Sequence, residues 1–313
     1  MTLYDFGNWL NIASFYMIGG TGAAISMKCG EFNLGGEGQI YAGGFTAAIF
    51  LAKLHGLVAT AGAASLELSL AVPLAVILAV AGGMTISALL CFFSALLRKY
   101  RGASFLLTSF IVSSAVIPLI NGLIAGPFRG NTGNLLATPF IDKAFRFKKI
   151  LPPSSLNISF FIGILICVAG GFFLFKTRLG KKICIFGISR EFALYSGFSE
   201  KSITFTSALT GGALHGLCGS FIVLGTYYTC HSGFYLGHGW TCLSAAMLAG
   251  SNPFLVIFSS LFLGAVTAFT NSFALHHNVG YDLSTIIQAV IMIAVSIPFY
   301  SLFKAKKRLR GQK

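Results

Sequence analysis

Four side chains able to hold a polar solute crowd into one decapeptide, Gly30-Glu31-Phe32-Asn33-Leu34-Gly35-Gly36-Glu37-Gly38-Gln39. Glu31 and Glu37 supply carboxylate acceptors. Asn33 and Gln39 supply both an amide donor and an acceptor. The pattern has no nucleophile beside a base and no ligand set for a metal, so its chemistry is recognition by hydrogen bonding rather than bond making. The four glycines disfavour a continuous helix, each at about 1 kcal/mol relative to Ala. The decapeptide also lies between two apolar segments. Non-helical backbone at membrane depth is tolerated only inside protein or beside a water-filled cavity, and ionisable groups there mark functional positions. The alternative is an ordinary turn with its carboxylates in water. The first reading predicts that Glu31, Asn33, Glu37 and Gln39 form a substrate pathway or its gate.

The elements that must carry this segment are membrane spans. Of 313 residues, 55% are hydrophobic and 10% charged, and the mean hydropathy is +0.81. A soluble domain carries roughly 25% charged residues, so there is too little charge here to cover a surface in water. Apolar segments of the ~20 residues needed to cross a bilayer recur throughout, about eight to ten in all. Spans are expected at Asn8–Met27, Ile40–Leu54, Leu70–Leu97, Ser104–Ile124, Ile158–Phe175, Ile203–Leu224, Phe254–Phe273 and Leu283–Phe303, with a half-span at Cys242–Ala249 bounded by Gly237, Gly239 and Gly250. The expected fold is an all-α polytopic helical bundle, broken or re-entrant at 29–39, forming a single transmembrane domain over 1–313. The N-terminus lacks a basic start and a cleavage-like site, so the first apolar segment reads as a retained span rather than a signal peptide.

Charge placement gives the orientation. Eight acids face 22 Lys+Arg, a net charge of +14. A basic balance suits nucleic acid, but here the basic residues flank apolar runs, as in a membrane protein fixing its topology, and no nucleic-acid partner is expected. Arg98, Lys99 and Arg101, the cluster from Lys176 to Lys201, and the tail from Lys304 to Lys313 read as cytoplasmic, which leaves the C-terminus inside. The loop 126–157 then lies outside despite Arg129, Lys143, Arg146, Lys148 and Lys149, because long loops cross largely regardless of charge.

The segment 176–201 holds a second pattern. Arg190 to Tyr195 fits a short helix with Ser189 as N-cap and Gly197 as its stop. Phe192, Tyr195 and Phe198 would form an apolar ridge beside Arg190 and Glu191. Such a rigid element suits docking to a separate motor. An interfacial helix with its aromatics among lipid headgroups is the alternative.

Both patterns resemble one family. Glu31 to Gln39 resembles the F-N-I-G-x-E-G-Q signature of permeases in the nucleoside and simple-sugar branch of ATP-binding-cassette importers, a branch similar to the wider branched-chain amino acid and ribose group. Phe32, Asn33, Gly35, Glu37, Gly38 and Gln39 match, with Leu34 for Ile. Gly187 to Phe198 resembles the G-x-N-x-x-A-A-x-Y-[AS]-G-I stretch that forms the family's coupling helix. Gly187, Ala193, Tyr195, Ser196 and Gly197 match, whereas Ser189, Phe192 and Phe198 depart from it. Leu248-Ala249-Gly250-Ser251-Asn252-Pro253 resembles the family's L-G-G-x-N-P turn, and Ile286-Ile287-Gln288 the start of its closing helix.

The resemblance implies a permease subunit that works by alternating access, with Arg190, Glu191, Ala193, Tyr195 and Gly197 coupling it to the ATPase. The partners it implies are an ATPase subunit, a second permease chain (the same or a sister), an extracytoplasmic solute-binding protein and the bilayer. The implied solute is a nucleoside or simple sugar first, then a vitamin such as riboflavin or a branched-chain amino acid. The sequence has no G-x-x-x-x-G-K-[ST], so ATP hydrolysis is expected on a separate subunit. It is not expected to be an enzyme or to need a cofactor or metal.

Seven scattered cysteines form no C-x-x-C pair and read as small apolar residues. His215 and His231 read as hydrogen-bonded structural histidines, and His276-His277 as an interfacial loop. An ion-coupled secondary transporter is the alternative of another class, but its supply of intramembrane acids is sparse.

Overall fold

The computed structural model describes residues 2–60, 66–131, 133–277 and, beyond them, 286, 287, 289–291, 293 and 294. The tail lysines and arginines, Asn278, Asp282, Gln288 and most of the expected last span lie outside the described residues.

Ten α-helices carry the described chain: α1 Leu3–Lys28, α2 Gly36–Thr60, α3 Leu66–Arg101, α4 Phe105–Ala125, α5 Ser159–Lys176, α6 Arg178–Ile188, α7 Arg190–Tyr195, α8 Glu200–Ile222, α9 His238–Leu248 and α10 Pro253–His277. Five apolar stretches, in α3, α4, α5, α8 with its extension, and α10, are long and apolar enough to cross a membrane by length and composition. At 26 and 25 residues, α1 and α2 also have the length. The fold is an all-α polytopic bundle.

α8 is the central helix. Its apolar stretch is 78% buried, against 28% for those of α3 and α4, which turn outward. It reaches the centre because it carries glycines where neighbouring backbones meet it. A Cβ on Gly219 would overlap the Ile40 carbonyl of α2, and one on Gly216 would lie 2.5 Å from the Gly83 carbonyl of α3. Small residues of this kind let helices approach closely in a membrane, where burial from water supplies no drive between them. Many hydroxyls inside the bundle are satisfied locally. Thr21 donates to the Met17 carbonyl at 2.8 Å, and Ser220 to that of Gly216 at 2.9 Å.

One end of the bundle gathers the end of α1, the last turn of α3, and α6, α7 and the start of α8. There Glu31 pairs with Arg98, and Arg190 with Glu200. The start of α1 lies at the other end, against the 126–157 loop, where Asn8 Oδ1 accepts the Ser155 amide at 3.0 Å. A π-helical turn at Val223–Tyr227 and a left-handed Tyr228 (φ 58°) end α8 there. The chain then turns back inward through 229–237, and the long loop pairs along it. The Thr138 amide donates to the Cys230 carbonyl at 3.0 Å, and the Ser232 amide to that of Leu136 at 2.8 Å.

Candidate functional site

The decapeptide breaks the chain where its composition predicts. α1 ends at Lys28, residues 29–35 are non-helical, and α2 begins at Gly36. That beginning lies inside the bundle. The Leu34 amide donates to Ser109 Oγ at 3.1 Å and the Gly38 amide to Ser113 Oγ at 2.8 Å. Ser109 and Ser113 are four and eight residues into α4, so α2 starts roughly 6–12 Å in from the near end of α4 at 1.5 Å per residue.

Asn33 and Gln39 hold the bend, both buried. Asn33 Nδ2 donates to Gln39 Oε1 at 2.9 Å, and Gln39 Nε2 returns a bond to Asn33 Oδ1 at 3.2 Å. Asn33 Oδ1 also accepts the Gly35 amide at 2.9 Å. This closed exchange replaces the backbone pairing that the non-helical stretch forgoes. Of the four residues assigned to a pathway, these two fix its backbone.

Glu37 stands at a second helix start. Its Oε1 accepts the Gly237 amide at 2.8 Å. Gly237 is the N-cap of α9 with φ 79°, a left-handed conformation that glycine adopts without strain. Gly239 packs so closely that a Cβ would lie 2.6 Å from Glu37 Cγ. The starts of α2 and α9 therefore meet inside the bundle around one half-buried carboxylate, and both aim the positive ends of their dipoles at it. One bond does not exhaust the acceptor sites of a carboxylate. His238 lies beside it, with a buried Nδ1 that has no hydrogen-bond partner among the described residues and a ring 5.9 Å from that of Tyr16. Tyr235 packs on Tyr41 at 4.5 Å between centroids, while Leu236 and Trp240 are exposed.

The half-span expected at 242–249 is α9. From its start beside Glu37 it runs back toward the Arg98 end, where Ala246 and Ala249 pack with Ala24, Met27 and Leu34. The turn after it uses Gly250 and Ser251 at φ 57° and 58°, and Asn252 Oδ1 accepts the Phe254 amide at 3.1 Å.

Glu31 sits apart from Glu37. It is 7% exposed and paired with Arg98 at the bundle's end, so it belongs to the base of the segment rather than its tip.

The short helix occurs as predicted. α7 spans Arg190–Tyr195, Ser189 Oγ caps the Phe192 amide at 3.4 Å, and Gly197 ends it at φ 78°. Arg190, Glu191, Tyr195 and Gly197 are exposed, Tyr195 to 94%. Ala193 is fully buried with Ile183, Phe186 and Ile203, so it anchors α7 instead of facing out. The ridge differs from the expected one. Phe192 and Tyr195 are exposed, but Phe198 turns inward beneath Lys182, and Leu194 takes the outward position.

Sequence reasoning missed three participants: Arg98, His238 and Gly237. Arg98 reads as one of a topogenic trio, and Gly237 as a boundary. Their partners stand 67 and 200 residues away. His215, read as structural, is buried and bonded through Nδ1 to the Gly211 carbonyl at 2.9 Å. His231 bonds the Ser232 carbonyl at 3.0 Å. The side chains of His276 and His277 lie outside the described residues.

Residues 6–296 match the family model described as the branched-chain amino acid transport system permease component. The chain is similar to a probable riboflavin import permease of Treponema pallidum (strain Nichols), 29% identical over 95% of this chain and 75% of that one. It is similar to a guanosine ABC transporter permease of Bacillus subtilis (strain 168), 25% identical over 98% of this chain and 86% of that one. A glucose ABC transporter permease of Haloferax volcanii is 26% identical over 92% of this chain and 75% of its own length. No solved structure matches the chain.

Proposed function

This chain belongs to the branched-chain amino acid transport system permease family, and from that premise we propose that it carries a ring-bearing polyol, a nucleoside or riboflavin, past Glu37, with a simple sugar as the next candidate. It is a multi-pass membrane permease subunit of an ATP-binding-cassette importer, and ATP is hydrolysed on separate subunits. Membership implies association in the membrane with an ATPase subunit and a substrate-binding protein.

The observation that carries the proposal is the meeting of two helix starts around the half-buried Glu37 carboxylate inside the bundle. Broken helices whose ends converge at membrane depth are how transporters present fixed dipoles to a solute. A carboxylate there accepts hydroxyl or ring N–H donors, and Trp240, exposed in the first turn of α9, offers a flat face on the same helix. Two of the three relatives named above point the same way, since riboflavin and guanosine each join a flat heteroaromatic ring to a polyol or ribose, while the glucose permease supports the simple sugar.

The end with Arg98, α6 and α7 is cytoplasmic in this reading, as is the C-terminus, and the 126–157 loop is extracytoplasmic. The membrane is the inner (plasma) membrane of a prokaryote. α7 docks the ATPase through Arg190, Glu191 and Tyr195, and a second permease chain completes the pathway. The clustering of Arg98, Lys99 and Arg101 with the basic 176–201 segment at one end supports this orientation.

The test is affinity purification of the tagged chain from native membranes, mass spectrometry of its companions, and uptake of labelled guanosine, riboflavin and glucose by the reconstituted assembly. An ATPase and a binding protein, with ATP-dependent uptake of guanosine or riboflavin, are the expected result. Uptake of glucose alone would overturn the solute with a flat heteroaromatic ring. Transport by the isolated chain on an ion gradient would overturn the importer reading.

A further inference from the structure

The broken segment and the α6–α7 pair touch. Gly187, near the end of α6, lies so close to α1 that a Cβ there would overlap the Lys28 carbonyl. A Cβ on Gly30 would stand 3.6 Å from the Gly187 Cα. The segment thus leaves α1 at the point where α6 presses on it. Glu31, its next residue, pairs with Arg98 in the last turn of α3. Arg98 also lies in the fields of Arg190, the first residue of α7, and Glu200, the first of α8. Arg190 and Glu200 pair with each other at 2.6 Å. The guanidinium that holds Glu31 therefore lies in the field of the pair that joins α7 to α8.

The two pairs differ in how firmly they hold. The side chains of Arg190 and Glu200 are 55% and 34% accessible, and an exposed pair is worth about 0–1 kcal/mol, so it exchanges partners at little cost. Glu31 and Arg98 are 9% and 23% accessible, and removing one partner leaves a charge stranded in poor solvent. A shift of α7 that draws Arg190 from Glu200 changes the charge acting on Arg98.

We infer that Arg98 is a positioning residue that links the ATPase-facing α7 to the solute pathway. Its guanidinium holds Glu31, at the base of the broken segment, and lies in the field of the Arg190–Glu200 pair beside α7. Displacement of α7 changes that field and, through Gly187 of α6 against Lys28, shifts a segment that Arg98 ties to α3, and with it the start of α2 that carries Glu37. The inference rests on the reading of α7 as the docking helix.

The experiment uses the whole importer in lipid nanodiscs and needs no knowledge of the solute. Phe32 is 42% exposed on the broken segment, whereas six of the seven cysteines are buried. Phe32→Cys is labelled with a membrane-impermeant methanethiosulfonate, without nucleotide and in the vanadate-trapped state. With Arg98 present, the two rates should differ at least about fivefold, the low end of measured coupling. In Arg98→Gln the two rates should coincide, while the ATPase stays bound and hydrolyses ATP. Glu31→Gln, which removes the same pair from the other side, should abolish the difference, and Arg98→Lys should retain part of it, so a destabilised Gln variant does not decide the matter. A nucleotide-dependent difference that survives Arg98→Gln or Glu31→Gln in an assembled importer would overturn the inference. An unmutated chain that binds no ATPase would instead sink the importer reading, and this inference with it.

Discussion

The amide of Gly237 donates a 2.8 Å hydrogen bond to the carboxylate of Glu37, joining the starts of two helices across 200 positions of chain. α2 begins inside the bundle at this contact, and α9 begins on the other side of it. Glu37→Ala removes the acceptor and the charge that both helix dipoles favour. A charge-assisted bond is worth about 1.5–3 kcal/mol, so uptake by the reconstituted assembly should fall at least about tenfold. Glu37→Gln keeps an acceptor and should fall less. Membrane content of both variants should match the parent. A parental uptake rate for Glu37→Ala would remove this residue from the pathway.

Tyr195 projects from α7 with 94% of its surface accessible, beside the exposed Phe192. An exposed aromatic on a helix held from beneath by Ala193 has the character of an interface anchor, and such anchors cost about 2 kcal/mol or more when lost. Tyr195→Asp should insert normally, lose most of its co-purifying ATPase and fail to couple hydrolysis to uptake. Undiminished co-purification and uptake would show that α7 is not the docking element.

Asn33 makes three hydrogen bonds within the bend, two of them with Gln39. Asn33→Leu strands the Gln39 amide and the Gly35 N–H in a buried site, at about 1–3 kcal/mol for each group. The midpoint of thermal unfolding in detergent should drop by several degrees. An unchanged midpoint would mean that the bend is held by its contacts with α4 instead.

Gly219 and Gly122 provide a matched pair. A Cβ on Gly219 would overlap the Ile40 carbonyl, while one on Gly122 meets nothing within 4 Å. Ala in place of Gly favours a helix by about 1 kcal/mol, but forcing an extra carbon into close packing costs about 1–3 kcal/mol. Gly219→Ala should therefore lower the unfolding midpoint, and Gly122→Ala should hold or raise it. Equal effects would refute the account of α8 as a glycine-seated central helix.

Composition and local pattern were enough to establish that the chain is a bundle of apolar helices, broken after Lys28 and bearing a short capped helix at Arg190–Tyr195. Each of these features depends on neighbours within a few positions. Runs of apolar residues make spans, clustered glycines disfavour helix, and Ser189 and Gly197 cap and stop a single turn or two. The resemblance to a permease family was legible for the same reason, since its signatures are contiguous strings. The tertiary structure alone decided what those pieces meet. Glu37 reads as one more acid in a Gly-rich string until the fold sets Gly237 against it. Arg98 reads as a topogenic charge until Glu31 is found against it. Phe198 reads as part of an exposed ridge until α6 covers it. Such pairings depend on which helices become neighbours, and the close approaches at Gly216 and Gly219 on α8 set that arrangement across long stretches of chain.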